Sequence, residues 1–224
     1  MNYNHILFII LLSFSLPITA QMGEQRSNWA IGINGGVNLN SVTFNPKIKE
    51  NLLLGTTGGI TARYISEKYF AMICGLQAEL NFAQRGWDEK IENNTNTYSR
   101  TLNYIEFPFL AHLAFGKDRG GQFFLNLGPQ LSYLISEKDK KSSDWDATER
   151  TNAQYDLMVQ NKFDYGIVGG AGVEVRTKAG NFLLEGRYYF GLADIFNNSK
   201  KDYFGRSANT SICVKLSYLF DLTK

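Results

Sequence analysis

Connections of alternating length join eight strand-like segments, and this alternation constrains the fold more than any other feature of the chain. Short connections are predicted at 65–69, 116–121 and 176–180. Long polar connections are predicted at 40–52, 84–97, 136–162 and 192–209. An even number of strands, with tight turns at one end and long loops at the other, is typical of transmembrane β-barrels.

Within the segments, side-chain character alternates with a period of two, as it does in strands. One face of 123–135 carries Phe123, Leu125, Leu127, Pro129, Leu131, Tyr133 and Ile135. The opposite face carries Asn126, Gly128, Gln130 and Ser132, with Phe124 and Leu134 as exceptions. A soluble β-sandwich or a lipocalin-like barrel is the alternative, but those folds bury their apolar face. A large aromatic face opposite a charged, glycine-rich one favours lipid outside and a polar interior.

We therefore predict an all-β fold, an eight-stranded antiparallel transmembrane β-barrel built as an up-and-down meander with both termini periplasmic. Segments of 10–13 residues, at ~3.3 Å per residue and a tilt of ~40°, cross about 25–30 Å, which is the height of the apolar band. Aromatic residues gather at the predicted periplasmic ends, as an interfacial girdle requires: Trp29, Tyr64, Phe70, Phe115, Phe123, Phe182, Tyr218 and Phe220.

An export signal is predicted at residues 1–20, followed by one barrel domain at 21–224. The apolar run Ile6–Ile18 is 13 residues long, too short to cross a bilayer as a helix. A retained helical anchor is the alternative. The predicted location is the outer membrane. A net charge of +2 without clustered bases gives no reason to expect nucleic acid as a partner.

Five stretches of the chain are similar to the PorT-like outer-membrane β-barrel family of Gram-negative bacteria. They are GINGGVNLN (32–40), LNYIEFPFLAHLAFG (102–116), LNLGPQLSYLIS (125–136), FDYGIVGGAGVEV (163–175) and LLEGRYYFGLADI (183–195). The terminal KLSYLF (215–220) resembles the closing strand that barrel-assembly machinery recognises, although four more residues follow it. The resemblance implies an integral barrel among outer-membrane lipid. A few family members are tied to a protein-secretion apparatus, and the family supplies no catalytic residues.

Seven charged residues are predicted to face the lumen: Arg63, Glu79, Glu106, Glu174, Glu185, Arg187 and Lys215. An eight-stranded barrel has an interior just wide enough for side chains to fill it. Buried charges must be paired or neutralised. The set therefore forms either a structural network that plugs the barrel or the lining of a narrow, charged pathway.

Three further features bear on chemistry. The glycines Gly166, Gly169, Gly170 and Gly172 lack a phosphate-binding pattern and are expected to make room for curvature or inward neighbours. His112 is the sole histidine after residue 20, without a Ser or Asp placed beside it or a second His near it. We expect no enzyme activity, no cofactor and no metal site. Cys74 and Cys213 are predicted to face opposite sides of non-adjacent strands and to form no disulfide.

The long connection 136–162 carries four apolar residues that form a possible partner surface, Trp145, Tyr155, Leu157 and Met158. The same residues can instead rest on the barrel rim. Two functions remain open. The first is a porin-like barrel with a structural or passive small-solute role. The second is a non-conducting barrel that serves a secretion apparatus or binds a partner through its extracellular loops or periplasmic turns.

Overall fold

The computed structural model describes residues 23–91, 96–143, 153–155 and 157–223. Within these ranges the chain forms eight long strands, one two-residue strand and one short 3-10 helix, Ala153–Tyr155. The strands are β1 (Glu24–Asn45), β2 (Glu50–Asn51), β3 (Leu53–Tyr69), β4 (Met72–Glu89), β5 (Tyr98–Gly116), β6 (Gly120–Lys141), β7 (Phe163–Thr177), β8 (Gly180–Asp194) and β9 (Arg206–Asp221). Residues 1–20, the predicted export signal, lie outside the described ranges.

The long strands close into an antiparallel barrel. Each pairs with its neighbours along the chain, and β1 pairs with β9 to complete the circle, as in Val37 opposite Val214. The two-residue β2 adds only to the outer end of β4. The predicted all-β, eight-stranded antiparallel meander is therefore confirmed. No helix in the described ranges is long and apolar enough to cross a membrane.

Through the middle of the barrel, the apolar side chains of the strands point outward, and the polar ones point inward. In β6, Leu125 and Leu127 are exposed while Asn126 is buried. Phe124 and Leu134, the two exceptions to the predicted pattern, are both buried inside the barrel. Aromatic pairs mark the end with the short connections: Trp29 with Tyr64 and Phe182 with Tyr218, at centroid distances of 4.8 and 5.0 Å. Phe70 lies in the turn between β3 and β4 and not on a strand face.

The strands are longer than the sequence predicted at the end with the long connections. These connections shrink to 46–52, 90–97, 142–162 and 195–205. A strand of 22 residues, the length of β1, runs roughly 70 Å and exceeds a ~25 Å apolar band even when tilted. Beyond the band the outward face turns polar, as at Thr43 and Asn45, and the inward face turns apolar, as at Val42 and Phe44. This reversal explains why these residues were assigned to loops.

Candidate functional site

The barrel interior holds a set of buried charged side chains. All seven residues predicted to face the lumen are buried there: Arg63, Glu79, Glu106, Glu174, Glu185, Arg187 and Lys215. Arg85, Asp164 and Arg176 also contribute. With these additions the named set holds five carboxylates and five bases, so its charge balances, whereas the predicted set had one acid in excess.

Glu79 stands at the centre of this network, close to mid-barrel. Both guanidinium Nη atoms of Arg187 donate to its carboxylate, at 2.5 and 2.8 Å, and Lys215 Nζ donates at 2.7 Å. Gln77 and Asn81 donate from the same strand at 2.7 and 2.9 Å. Five donors therefore satisfy one buried carboxylate, and they come from three strands, β4, β8 and β9. The ion pairs thus fix the relative positions of these strands.

A chain of side chains continues from this centre toward the short connections. Arg187 Nη2 donates to Glu185, whose carboxylate accepts from Asn126 Nδ2 at 2.9 Å. Asn126 Oδ1 lies 2.8 Å from His112 Nδ1, and Arg63 Nη1 lies 3.5 Å from His112 Nε2. This arrangement fits a neutral His112 that carries its proton on Nδ1. Arg63 then binds Glu174 through two hydrogen bonds, at 2.6 and 2.7 Å.

A second charged layer lies toward the long connections, and its base, Arg85, was missed from the sequence. Arg85 of β4 pairs with Glu106 and donates to Asp164 Oδ2 at 2.8 Å. Its guanidinium also lies over the Tyr189 ring, 4.0 Å from the centroid. The sequence did contain a sign of this placement, because Arg85 lies an even number of residues after Glu79 and therefore faces the same side of β4. It was overlooked because the outward residues around it are polar.

Between Arg85 and the long connections, an aromatic cluster fills that end of the barrel; it is here called the outer plug. Its members are Val42, Phe44, Trp87, Tyr98, Leu102, Tyr104, Leu134, Tyr155, Val159, Ile195, Phe196 and Phe204. Trp87 is fully buried and meets Phe44 edge-on, at 5.3 Å between centroids. Such a cluster removes apolar surface from water, and the buried side chains of Glu89, Arg100 and Gln154 lie against it.

The four residues of the possible partner surface fall in different environments. Tyr155 belongs to the outer plug, and its hydroxyl donates to Glu89 Oε2 at 2.6 Å. Leu157 packs against the plug, whereas Met158 is 73% exposed. Trp145 lies outside the described residues. For Tyr155 and Leu157, the placement fits the alternative in which they rest on the barrel.

Apolar side chains also close the interior near the short connections. This inner cluster consists of Ala30, Ile65, Ile73, Ala114, Phe124, Leu183 and Leu219. Between it and the outer plug, the charged layers leave a cavity of ≈ 30 Å³ beside Arg85, Arg187 and Cys213. That volume holds about one water molecule. Cys74 and Cys213 are both free thiols.

The glycines of β7 make space for this packed interior. A Cβ on Gly170 would lie 2.5 Å from Glu185 Oε1, and one on Gly172 would lie 2.6 Å from the Phe124 ring. Both positions face inward, so neighbouring side chains fill the room that each glycine leaves. This placement agrees with the role expected from the sequence.

Two carboxyl groups outside the spanning segments have displaced pKa values. Burial raises the pKa of Glu50 to about 8, and the nearby Glu89 carboxylate adds to the rise. In the turn 117–119, hydrogen bonds from Arg26 and Lys68 lower the pKa of Asp118 to about 2. Glu50 therefore holds its proton near neutral pH, while Asp118 is ionised.

Few of the described interior side chains are arranged in a way that would suit metal binding. No cluster of three or more His, Cys, Asp or Glu side chains suited to a metal ion occurs among the described residues. Both ring nitrogens of His112 face the amide and guanidinium groups of the network. The arrangement orients charges against each other.

A family profile described as "Outer membrane protein beta-barrel domain" matches residues 19–197. The chain belongs to this family. It is thus an outer-membrane β-barrel protein. A comparison with curated protein sequences gave no significant match.

Three solved structures show some similarity to this chain. OprG from Pseudomonas aeruginosa has 13% sequence identity and a TM-score of 0.50, over 88% of this chain and 98% of that one. Neisserial surface protein A has 11% identity and a TM-score of 0.42, over 86% and 97%. The attachment invasion locus protein Ail of Yersinia pestis has 12% identity and a TM-score of 0.37, over 88% and 99%. At such identities the likeness to OprG concerns the fold alone.

Proposed function

We propose that this outer-membrane barrel does not conduct solutes and acts by binding at its outer rim. In this proposal the long connections face the outside of the cell and both termini face the periplasm, as is usual for such barrels. Residues 1–20 are removed on export, and the barrel-assembly machinery inserts the remaining chain. No catalytic step is involved.

The observation that carries the proposal is that packed layers of side chains follow one another along the barrel axis. An inner apolar cluster, the Arg63–Glu174 pair, the Glu79–Arg187 network, the Arg85 layer and the outer plug follow one another. A conducting pore needs a continuous wet path lined by polar groups. The cavity of ≈ 30 Å³ offers no such path. A porin-like, passive role is therefore the less favoured alternative.

A protein partner is the second candidate, in line with the resemblance to PorT-like barrels. The observation that favours it is Met158, which is 73% exposed beside the outer plug. An unbranched thioether side chain adapts to varied partner surfaces. A component of a secretion apparatus would use such a contact without any conduction.

Solute permeation tests the proposal. Proteoliposomes that contain refolded residues 21–224 are exposed to an osmotic step of a small sugar, and swelling is followed by light scattering. We expect the rate of protein-free liposomes. Swelling that rises in proportion to the protein content would overturn the proposal and restore the porin-like alternative.

A further inference from the structure

A polar notch lies on the outer wall of the barrel, where the apolar band meets the long connections. It has a volume of ≈ 470 Å³ and is lined by Gln160, Asn161, Lys162, Phe163, Tyr165 and Asn198, together with part of β8. This volume lies within the roughly 300–1,000 Å³ range of small-molecule sites. We call it the outer notch. Its lining does not overlap the outer plug or the charged interior.

Hydrogen bonds hold the backbone of the outer notch in place. The amide nitrogens of Gln160 and Asn161 both donate to the carbonyl of Ile195, each at 3.1 Å. Asn161 Nδ2 donates to the Asp194 carbonyl at 3.0 Å. Gln160 Oε1 accepts from the amide of Asn197 at 2.7 Å. The side chains of Gln160 and Asn161 are therefore each anchored at one atom, so these two side chains have little conformational entropy left to lose on binding.

The other polar atoms of these side chains have no partner among the described residues. They are Gln160 Nε2, Asn161 Oδ1, Asn198 Oδ1 and Lys162 Nζ. The one carboxylate at the notch, that of Asp194, is occupied by Asn198 Nδ2 at 2.8 Å and by the amide of Ser207 at 2.5 Å. The outer notch thus offers both donors and acceptors, and a single free cation.

Aromatic rings form the membrane side of the outer notch. Phe163 and Tyr165 are 53% and 45% exposed, and their centroids lie 6.2 Å apart at an interplanar angle of 34°. Leu192 of β8 is also exposed beside them. These side chains continue the lipid-facing band, in the position where aromatic residues meet the lipid headgroups.

We propose that the outer notch binds the saccharide headgroup of a glycolipid in the surrounding outer leaflet. A pyranose ring has a rim of hydroxyl groups that both donate and accept, which matches the free amide groups of Gln160, Asn161 and Asn198. Its C–H faces stack on aromatic rings such as that of Tyr165. Acyl chains then lie along Phe163 and Leu192, and Lys162 meets an acidic substituent of the sugar. A multiply charged anion is a poorer match, because Lys162 is the one cationic side chain among the described residues that line the notch.

This inference rests on the proposed function, since it requires the long connections to face the outer leaflet. The test uses residues 21–224 in phosphatidylcholine nanodiscs with and without a lipopolysaccharide that carries a short saccharide core. Backbone amide resonances of 160–165 and 192–198 are followed by NMR. We expect saccharide-dependent shifts at these positions, while the resonances of the short turns stay unchanged.

Two matched variants distinguish the loss of sugar stacking at the notch from the general effect of removing an aromatic side chain. Tyr165→Leu removes the ring at the outer notch, and Tyr188→Leu removes another outward ring that does not line the notch. We expect Tyr165→Leu to weaken saccharide-dependent binding by about threefold to tenfold and Tyr188→Leu to leave it unchanged. Lys162→Gln is expected to weaken binding of a phosphorylated core more than that of a dephosphorylated one.

The outcomes distinguish the possible sources and the two proposals. Equal shifts with the water-soluble, deacylated saccharide would keep the sugar site but overturn a membrane-bound source. Absence of shifts with either probe, or equal effects of Tyr165→Leu and Tyr188→Leu, would overturn the inference. A barrel that is impermeable to solutes but binds no saccharide leaves the proposed function standing, whereas solute permeation counts against the proposed function itself.

Discussion

The guanidinium of Arg187 in β8 binds the carboxylate of Glu79 in β4 through two hydrogen bonds, at 2.5 and 2.8 Å, across the middle of the barrel. The same guanidinium reaches Glu185 of its own strand at 2.8 Å. Arg187 is thus the base that joins two buried carboxylates, and its loss leaves Glu185 without a cation. Breaking a buried ion pair from one side is costly because an uncompensated charge remains.

Replacing Arg187 with Leu is expected to lower the free energy of unfolding by about 3–5 kcal/mol. The measurement is the urea midpoint of the barrel refolded in detergent micelles. Asp118→Asn is the matched control, because Asp118 has ion pairs of 2.8 Å with Arg26 and Lys68 at the exposed short-connection end. It should cost no more than about 1 kcal/mol. Equal midpoints for the wild type and Arg187→Leu would refute a structural role of the network.

Gly172→Ala tests whether the interior is fully packed. The added methyl would lie 2.2 Å from the Leu184 carbonyl oxygen and 2.6 Å from the Phe124 ring, so β7 or its neighbours must shift. We expect a loss of about 1–3 kcal/mol. Gly121→Ala is the control, because a Cβ there meets no atom within 4 Å. Similar unfolding midpoints for the two variants would show that the barrel has slack at Gly172.

The connection that contains Glu50 should be more stable at low pH than at high pH. Burial raises the pKa of Glu50 to about 8, above its ordinary value of 4.5, so the folded connection holds a proton that the open form releases between these values. Stability is therefore fully present below about pH 4.5 and falls as pH rises through about 8, by at most about 1.4 kcal/mol per pH unit.

Hydrogen exchange of the Val42 amide measures this effect, because that amide donates to Glu50 Oε2 at 3.0 Å. After correction for intrinsic exchange, we expect lower protection at pH 9 than at pH 6 in the wild type. Glu50→Gln should remove the difference, since a neutral amide keeps an acceptor oxygen without titrating. A pH effect that persists in Glu50→Gln would assign the titration to another group.

The lipid-embedded part of the fold could be predicted from the sequence, because apolar and polar residues alternate regularly throughout it. Ile105 and Phe107 face lipid and Glu106 faces the interior, so apolar and polar residues alternate on fixed sides. Two residues earlier in β5 the pattern reverses: the apolar Tyr104 faces inward and the polar Asn103 faces outward. A prediction that expects apolar residues on the outward face therefore ends the strand too early, although β5 continues to Tyr98.

The pairing inside the lumen could not be read from the sequence, because partners come from strands far apart along the chain. Parity alone placed Arg63 and Glu174 inside, but their contact depends on barrel closure, which brings β3 opposite β7. Tyr155 was ambiguous for a related reason. A long connection gives no periodicity, so its aromatic residues can equally well face solvent or fold back into the barrel.

Single-channel recording of residues 21–224 in a planar bilayer is the most direct test of a packed, non-conducting interior. Folding is verified first by heat-modifiable migration on a gel. We predict a silent bilayer across the voltage range that the membrane tolerates. Discrete openings whose ion selectivity changes in Glu185→Gln would contradict the account, because they would require a continuous water path past Glu79 and Arg187.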